Sequence, residues 1–125
     1  MSKSAVFPYG ITLQDGGTVD TFPAVEMRFQ SVAGEWTTLF LLVDSGAALS
    51  ALPRSDAAFF GIDVVKGVQI HVRGVSGQPL PGWRHIMRVR LGNSTFSLPV
   101  VFLDNDETPR VLGRAGVFEK FTIVF

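Results

Sequence analysis

The chain has no cysteine. Disulfides and thiolate metal sites are therefore excluded, and cysteine usage leaves the redox compartment open. It also lacks a charge surplus. Its 11 basic side chains are matched by 11 acidic ones, so the electrostatic footprint of a nucleic-acid or anionic-membrane binder is missing. No apolar run approaches the ~20 residues of a membrane helix. The first ten residues, MSKSAVFPYG, lack the apolar segment of a secretory signal. The expectation is a cytoplasmic protein, or a soluble domain of a larger one. The two histidines, His71 and His85, stand in no metal-ligand spacing, and no phosphate loop or dinucleotide fingerprint occurs. No metal and no cofactor are expected.

What is present is apolar and finely divided. The chain has 125 residues, 46% of them hydrophobic, enough for one domain spanning 1–125 around one core. Residues 1–10 read as an N-terminal arm. Asp15-Gly16-Gly17 is a hairpin turn between Ile11–Leu13 and Thr18-Val19. Val25, Met27 and Phe29 alternate with polar residues, as do Val68, Ile70 and Val72, and Met87, Val89 and Leu91. Each is the period of a half-buried strand. Pro53–Gly61 and Gly113–Phe121 read as short helices, the second with Val117, Phe118 and Phe121 on its apolar face. Gly74–Gly82 is expected to be a loop or hairpin tip, Gly92-Asn93 a tight turn, and Thr122–Phe125 a closing strand. Many short strands with one or two short helices define an all-β, barrel-like domain.

One stretch stands apart: Leu39–Leu52, LFLLVDSGAALSAL. Its continuous apolar run is the pattern of a strand buried on both faces. The run ends on Asp44, and a carboxylate buried there must be shared, paired or hydrogen-bonded. Ser45 adds a hydroxyl beside it, and Gly46 permits close approach of backbone or ligand. Far downstream, Val111-Leu112-Gly113-Arg114 repeats the theme of apolar strand followed by glycine. Gly74-Val75-Ser76-Gly77 lies between the two. Ser76 sits between glycines, but Gln78 occupies the place where a nucleophile elbow has its second glycine, so a serine-hydrolase reading fails. Asn93-Ser94-Thr95 matches a glycosylation acceptor and reads more simply as a polar turn.

The order Asp-Ser-Gly-Ala, glycine-rich hairpin tip, then apolar-apolar-Gly-Arg resembles the retropepsin-like aspartic proteases, the single-domain retroviral type and its bacterial relatives. The resemblance runs from about Ile11 to Phe125. It implies a closed β-barrel with a flap hairpin whose tip is Gly74, Val75, Ser76 and Gly77. It implies Asp44 as the catalytic residue, supported by Ser45 and Gly46. Ala47, Ala48, the flap tip, Pro109 and Val111 would then contact substrate. The chemistry needs two carboxylates sharing a proton, and this chain has one Asp-Ser-Gly, so the partners expected are a peptide or protein substrate and a second copy of the chain. The implied function is an endopeptidase active as a homodimer.

Two positions depart from the family pattern. Ala48 stands where retroviral members have an aspartate that pairs with the arginine represented here by Arg114, and Ala115 stands where many relatives have Asp or Asn. Arg114 is expected to turn to a backbone carbonyl or another carboxylate. The same departures keep open a second reading, a non-catalytic retropepsin-fold module for dimerisation or peptide binding.

Overall fold

The computed structural model describes residues 10–13, 19–73 and 78–124. A two-stranded antiparallel ribbon comes first: β1 (Gly10–Leu13) against β2 (Val19–Phe22). The turn between them, with most of the 1–10 arm, lies outside the described residues. Then come β3 (Ala24–Gln30), β4 (Trp36–Val43), β5 (Ser50–Pro53), helix α1 (Arg54–Phe59), a 3-10 turn (Val64–Lys66), β6 (Val68–Arg73), β7 (Pro79–Leu91), β8 (Ser94–Leu103) and β9 (Val111–Leu112).

These last seven strands form one sheet in the order β3-β4-β9-β5-β8-β7-β6, and β3 also pairs with β7 through Arg28↔Arg90 and Phe29↔Val89. The strand order therefore returns on itself and the barrel closes. β8 borders β7 along Gly82–Leu91. The other edge of β7 is shared by β6, against Pro79–Arg84, and β3, against Val89–Arg90.

Inward residues of the alternating strands fill the barrel. Met27, Phe29, Leu41, Leu52, Val89, Leu98, Val100, Phe102 and Leu112 have no exposed surface. Trp83 joins this core, whereas Trp36 is 40% exposed. The expectation that β4 is buried on both faces is corrected. Leu41 and Val43 point inward, but Phe40, just before Leu41, is 65% exposed. A barrel wall has one packed face, and the apolar run hid the ordinary alternation of the strand.

The expected loop at Gly74–Gly82 is shorter than the sequence suggests. Pro79–Gly82 already belongs to β7 and pairs with β6. The prolines fit because the Pro81 carbonyl accepts from Asp104 N–H at 2.9 Å. Pro81 nitrogen thus faces away from β6, and the ladder loses no donor there.

The expected helix at Gly113–Phe121 is instead a pair of successive turns. Phe118 N–H reaches the Arg114 carbonyl and Phe121 N–H reaches that of Val117, but Gly116, inside the first of these turns, has φ +78° and keeps them from forming one helix. Its apolar face survives, with Val117 buried and Phe118 and Phe121 packed on the core. The closing strand at Thr122–Phe125 is also corrected: residues 122–124 are not in a strand, and Val124 is 88% exposed. A strand needs a partner edge, and within one chain this segment pairs with none among the described residues. No helix among the described residues is long and apolar enough to cross a membrane.

Candidate active site

β4 delivers Asp44 to the end of the barrel. Its backbone is fixed on both sides: Val43 N–H donates to the Pro23 carbonyl at 2.9 Å, and Asp44 N–H to the Leu112 carbonyl at 3.0 Å. β9 runs parallel to β4, with Leu42 beside Val111 and Val43 beside Leu112. The two segments singled out in the sequence thus lie side by side. Asp44 Oδ1 accepts Gly46 N–H at 2.9 Å, closing a tight turn. In the single chain Asp44, Ser45 and Gly46 are all exposed. The carboxylate is therefore not buried, and among the described residues it has no cationic partner.

The turn that carries Asp44 is laced to the segment after β9. Arg114 N–H donates to the Ala47 carbonyl and Ala115 N–H to that of Ala48, each at 2.9 Å. The Arg114 guanidinium donates to the Ser45 carbonyl at 2.7 Å. This contact answers the question raised by Ala48. With alanine at position 48, Arg114 takes a backbone carbonyl of the Asp44 turn directly. Gly113 makes the approach possible. A Cβ there would run into the Leu49 carbonyl, with 2.5 Å to its carbon and 2.9 Å to the Leu49 nitrogen.

Ser50, which the motif reading passed over, completes this lacing. It is 1% exposed, and its hydroxyl accepts Gly113 N–H at 3.0 Å. The available signal was a single hydroxyl inside the apolar segment Leu49–Leu52. Ser50→Ala should leave a buried N–H unpaired and cost about 1–3 kcal/mol of stability. Urea unfolding measures this, and an unchanged midpoint would show that Gly113 N–H finds another acceptor.

Of the other expected site residues, Ala47 is half-buried and Ala48 exposed; Pro109 is exposed and Val111 half-buried. Val111 lies in β9, next to Leu42 and opposite Ala51. The flap tip Gly74–Gly77 lies outside the described residues. Its stem is the β6–β7 hairpin, closed at Arg73↔Pro79.

Arg110, one residue before β9, is held by Asp56 of α1 in a two-pronged ion pair, Nε to Oδ2 at 2.7 Å and Nη2 to Oδ1 at 2.9 Å. These hydrogen bonds raise the Arg110 pKa above its ordinary value; desolvation opposes the shift and the charge of Asp56 adds to it. A cation whose folded pKa is raised contributes stability that is complete below its unfolded pKa and lost only above it. For an arginine that window covers every ordinary buffer. Among the described residues no three His, Cys, Asp or Glu side chains gather as a metal site. His85 Nε2 instead lies 2.8 Å from the Val64 carbonyl.

A single aspartate on a rigid turn, cross-braced by a Gly-Arg segment at the end of a closed barrel, defines the class, and comparison with known proteins names it. The family model described as "Aspartyl protease" matches residues 29–115. The chain belongs to this family and is an aspartic endopeptidase. Among the solved structures that share its fold are two proteases. The EIAV protease complexed with the inhibitor HBY-793 superposes with a TM-score of 0.64 at 17% identity, over 83% of this chain and 93% of that one. A retropepsin-like aspartic protease from Rickettsia conorii gives 0.61 at 20% identity, over 90% of this chain and 86% of the other. The fold is therefore retropepsin-like. A comparison with curated proteins gave no match.

Proposed function

We propose that the chain acts as a homodimer of single domains, residues 1–125 each, in which two Asp44 carboxylates meet across a two-fold axis and hydrolyse a peptide bond. The observation that carries this reading is the exposure of Asp44. A braced carboxylate at the open end of the barrel is half of a dyad, and a two-fold operator brings the same residue of each copy to the axis. The 122–124 segment, which pairs with no strand among the described residues and exposes Val124, supports the same assembly, since a second copy can supply a strand edge.

In the dimer one carboxylate is ionised and the other protonated, because like charges ~3 Å apart do not both ionise. The ionised carboxylate takes a proton from water, and the oxygen of that water attacks the peptide carbonyl. The protonated carboxyl donates to the carbonyl oxygen as it becomes negative. Collapse of the tetrahedral intermediate breaks the C–N bond, and the amine leaves with a proton returned from the dyad. Substrate lies extended as an added strand, with Ala47, Ala48, Pro109 and Val111 along the cleft and Gly74–Gly77 covering it. These residues are small or apolar, which favours apolar side chains beside the cut bond. Activity should be greatest at mildly acidic pH.

The test is activity against protein concentration. Below the dimer dissociation constant the rate should rise as about the square of concentration, and excess Asp44→Asn chain should suppress it by forming mixed dimers. A strictly linear rate, untouched by the inactive chain, would place both catalytic groups in one copy. The changes at Ala48 and Ala115 keep a second reading open, a non-catalytic dimerisation or peptide-binding module, and the intact Asp44-Ser45-Gly46-Ala47 argues against it. A dimer that binds peptides and never cuts them would decide for it.

A further inference from the structure

Three consecutive residues at the start of α1 hold three positions of one loop. Arg54 Nη1 pairs with Asp104 Oδ1 at 3.1 Å, and its guanidinium lies over the Trp83 ring, 4.8 Å from the centroid. Ser55 N–H donates to Asp106 Oδ1 at 2.9 Å. Asp56 grips Arg110 through both carboxylate oxygens. The register explains the arrangement. β5 and β8 run parallel with Pro53 beside Leu103, so α1 and the 104–110 loop leave the sheet side by side.

Each contact also meets a local need. The N-cap of α1 is Pro53, which offers no side-chain cap, so Asp106 serves one of the open N–H groups of the first turn from outside. Asp56 is 8% exposed, and a carboxylate so covered requires a charged or hydrogen-bonded partner. Arg110 provides the bidentate geometry that a lysine cannot. The Arg110 carbonyl accepts Leu42 N–H at 2.9 Å, which ties the end of this loop to the strand that ends on Asp44.

We propose that the first turn of α1 is a clamp on the 104–111 loop, and that Asp56 is a positioning residue for substrate selection, fixing the Pro109–Val111 wall without touching substrate. The inference rests on the reading of Pro109 and Val111 as cleft wall. Two of the links, at Asp104 and Asp106, hold the outer part of the loop. The Asp56–Arg110 link lies between the residues that face the peptide, so it decides how far that wall stands from the substrate side chain. Without it the wall should yield and admit a wider range of side chains, while the Asp44 turn, braced by Arg114 and Ser50, stays in place.

The experiment uses Asp56→Asn and Arg110→Lys in the full chain, with two readouts. Trypsin cleavage after Arg110 reports the clamp directly and does not depend on the activity of the chain. Release of the guanidinium should speed it about tenfold in Asp56→Asn, with cleavage after Arg84 in β7 unchanged. Cleavage profiles on a peptide library report selection. KM for the preferred peptides should rise roughly fivefold with kcat held within about twofold, and discrimination among side chains beside the cut bond should fall. Arg110→Lys, which keeps the charge and loses the fork, should fall between wild type and Asp56→Asn. Unchanged cleavage after Arg110, or equal acceleration after Arg84, would overturn the clamp. Faster cleavage after Arg110 with an unaltered library profile would overturn its role in selection. A wild-type chain that cuts no peptide defeats the protease reading and the selection role with it, and trypsin still decides the clamp.

Discussion

Asp44→Asn should abolish peptide hydrolysis and leave the fold intact. The amide has the shape of the carboxylate and keeps an oxygen to accept Gly46 N–H, the bond measured at 2.9 Å. What it loses is chemistry. It cannot take a proton from water, and in the proposed dimer two amides cannot share a proton. Removing a general acid or base costs roughly 10²–10⁴ in rate, and in the proposed dimer both roles disappear together, so a fall of at least about 10³-fold is expected. Stability should move by less than about 0.5 kcal/mol, as for an exposed residue whose side-chain hydrogen bond is kept. Peptide turnover beside a thermal melt separates the two effects. Undiminished hydrolysis by the asparagine chain would remove Asp44 from the mechanism.

Gly113→Ala should have the opposite profile, losing stability and activity together. The added methyl meets the backbone of Leu49, 2.5 Å from its carbonyl carbon. A side chain can turn aside, but a peptide unit can move only if its neighbours move. Leu49 is enclosed by such neighbours: Ala47 and Ala48 bond to Arg114 and Ala115, and Ser50 bonds to Gly113 itself. Overpacking of this kind costs about 3 kcal/mol or more, which for a domain of this size lowers the melting temperature by roughly 10 °C. Because the displaced segment carries Asp44, any folded fraction should also be slow. A melt within about 2 °C of wild type would mean that the Leu49 peptide yields freely, and that the bracing described here is loose.

The parts of the fold legible in the sequence were those with a local signature. Met27 and Phe29 announced β3 by alternation, and Gly92-Asn93 marked the β7–β8 turn. The Asp44 turn and the Val111–Arg114 segment were legible as motifs, but their proximity came from the family resemblance, because nothing local to either states that β9 lies parallel to β4. The misses share a cause. Phe40 looked inward because its neighbours are apolar, although exposure is decided by what packs outside. Pro79 and Pro81 looked like loop because the side of the strand their nitrogens face is set by the partner strand. Gly116 broke, near its start, a helix that the apolar spacing of Val117, Phe118 and Phe121 had suggested. Ser50 and Asp56 were overlooked because their partners, Gly113 and Arg110, are far along the chain.

The bracing of the Asp44 turn also sets an order of assembly. The contacts that hold it, Ser50 with Gly113 and Ser45 with Arg114, join positions 63 and 69 residues apart. Such long closures carry a larger entropy cost than local hairpins and form late, after hairpins such as β7–β8. During synthesis Asp44 emerges well before Arg114, so the nascent polypeptide carries the aspartate without the frame that aims it. A chain interrupted before β9 would fold hairpins and have no competent site. The peptidase is thus born latent, and its completion waits until β9 and Arg114 have left the ribosome.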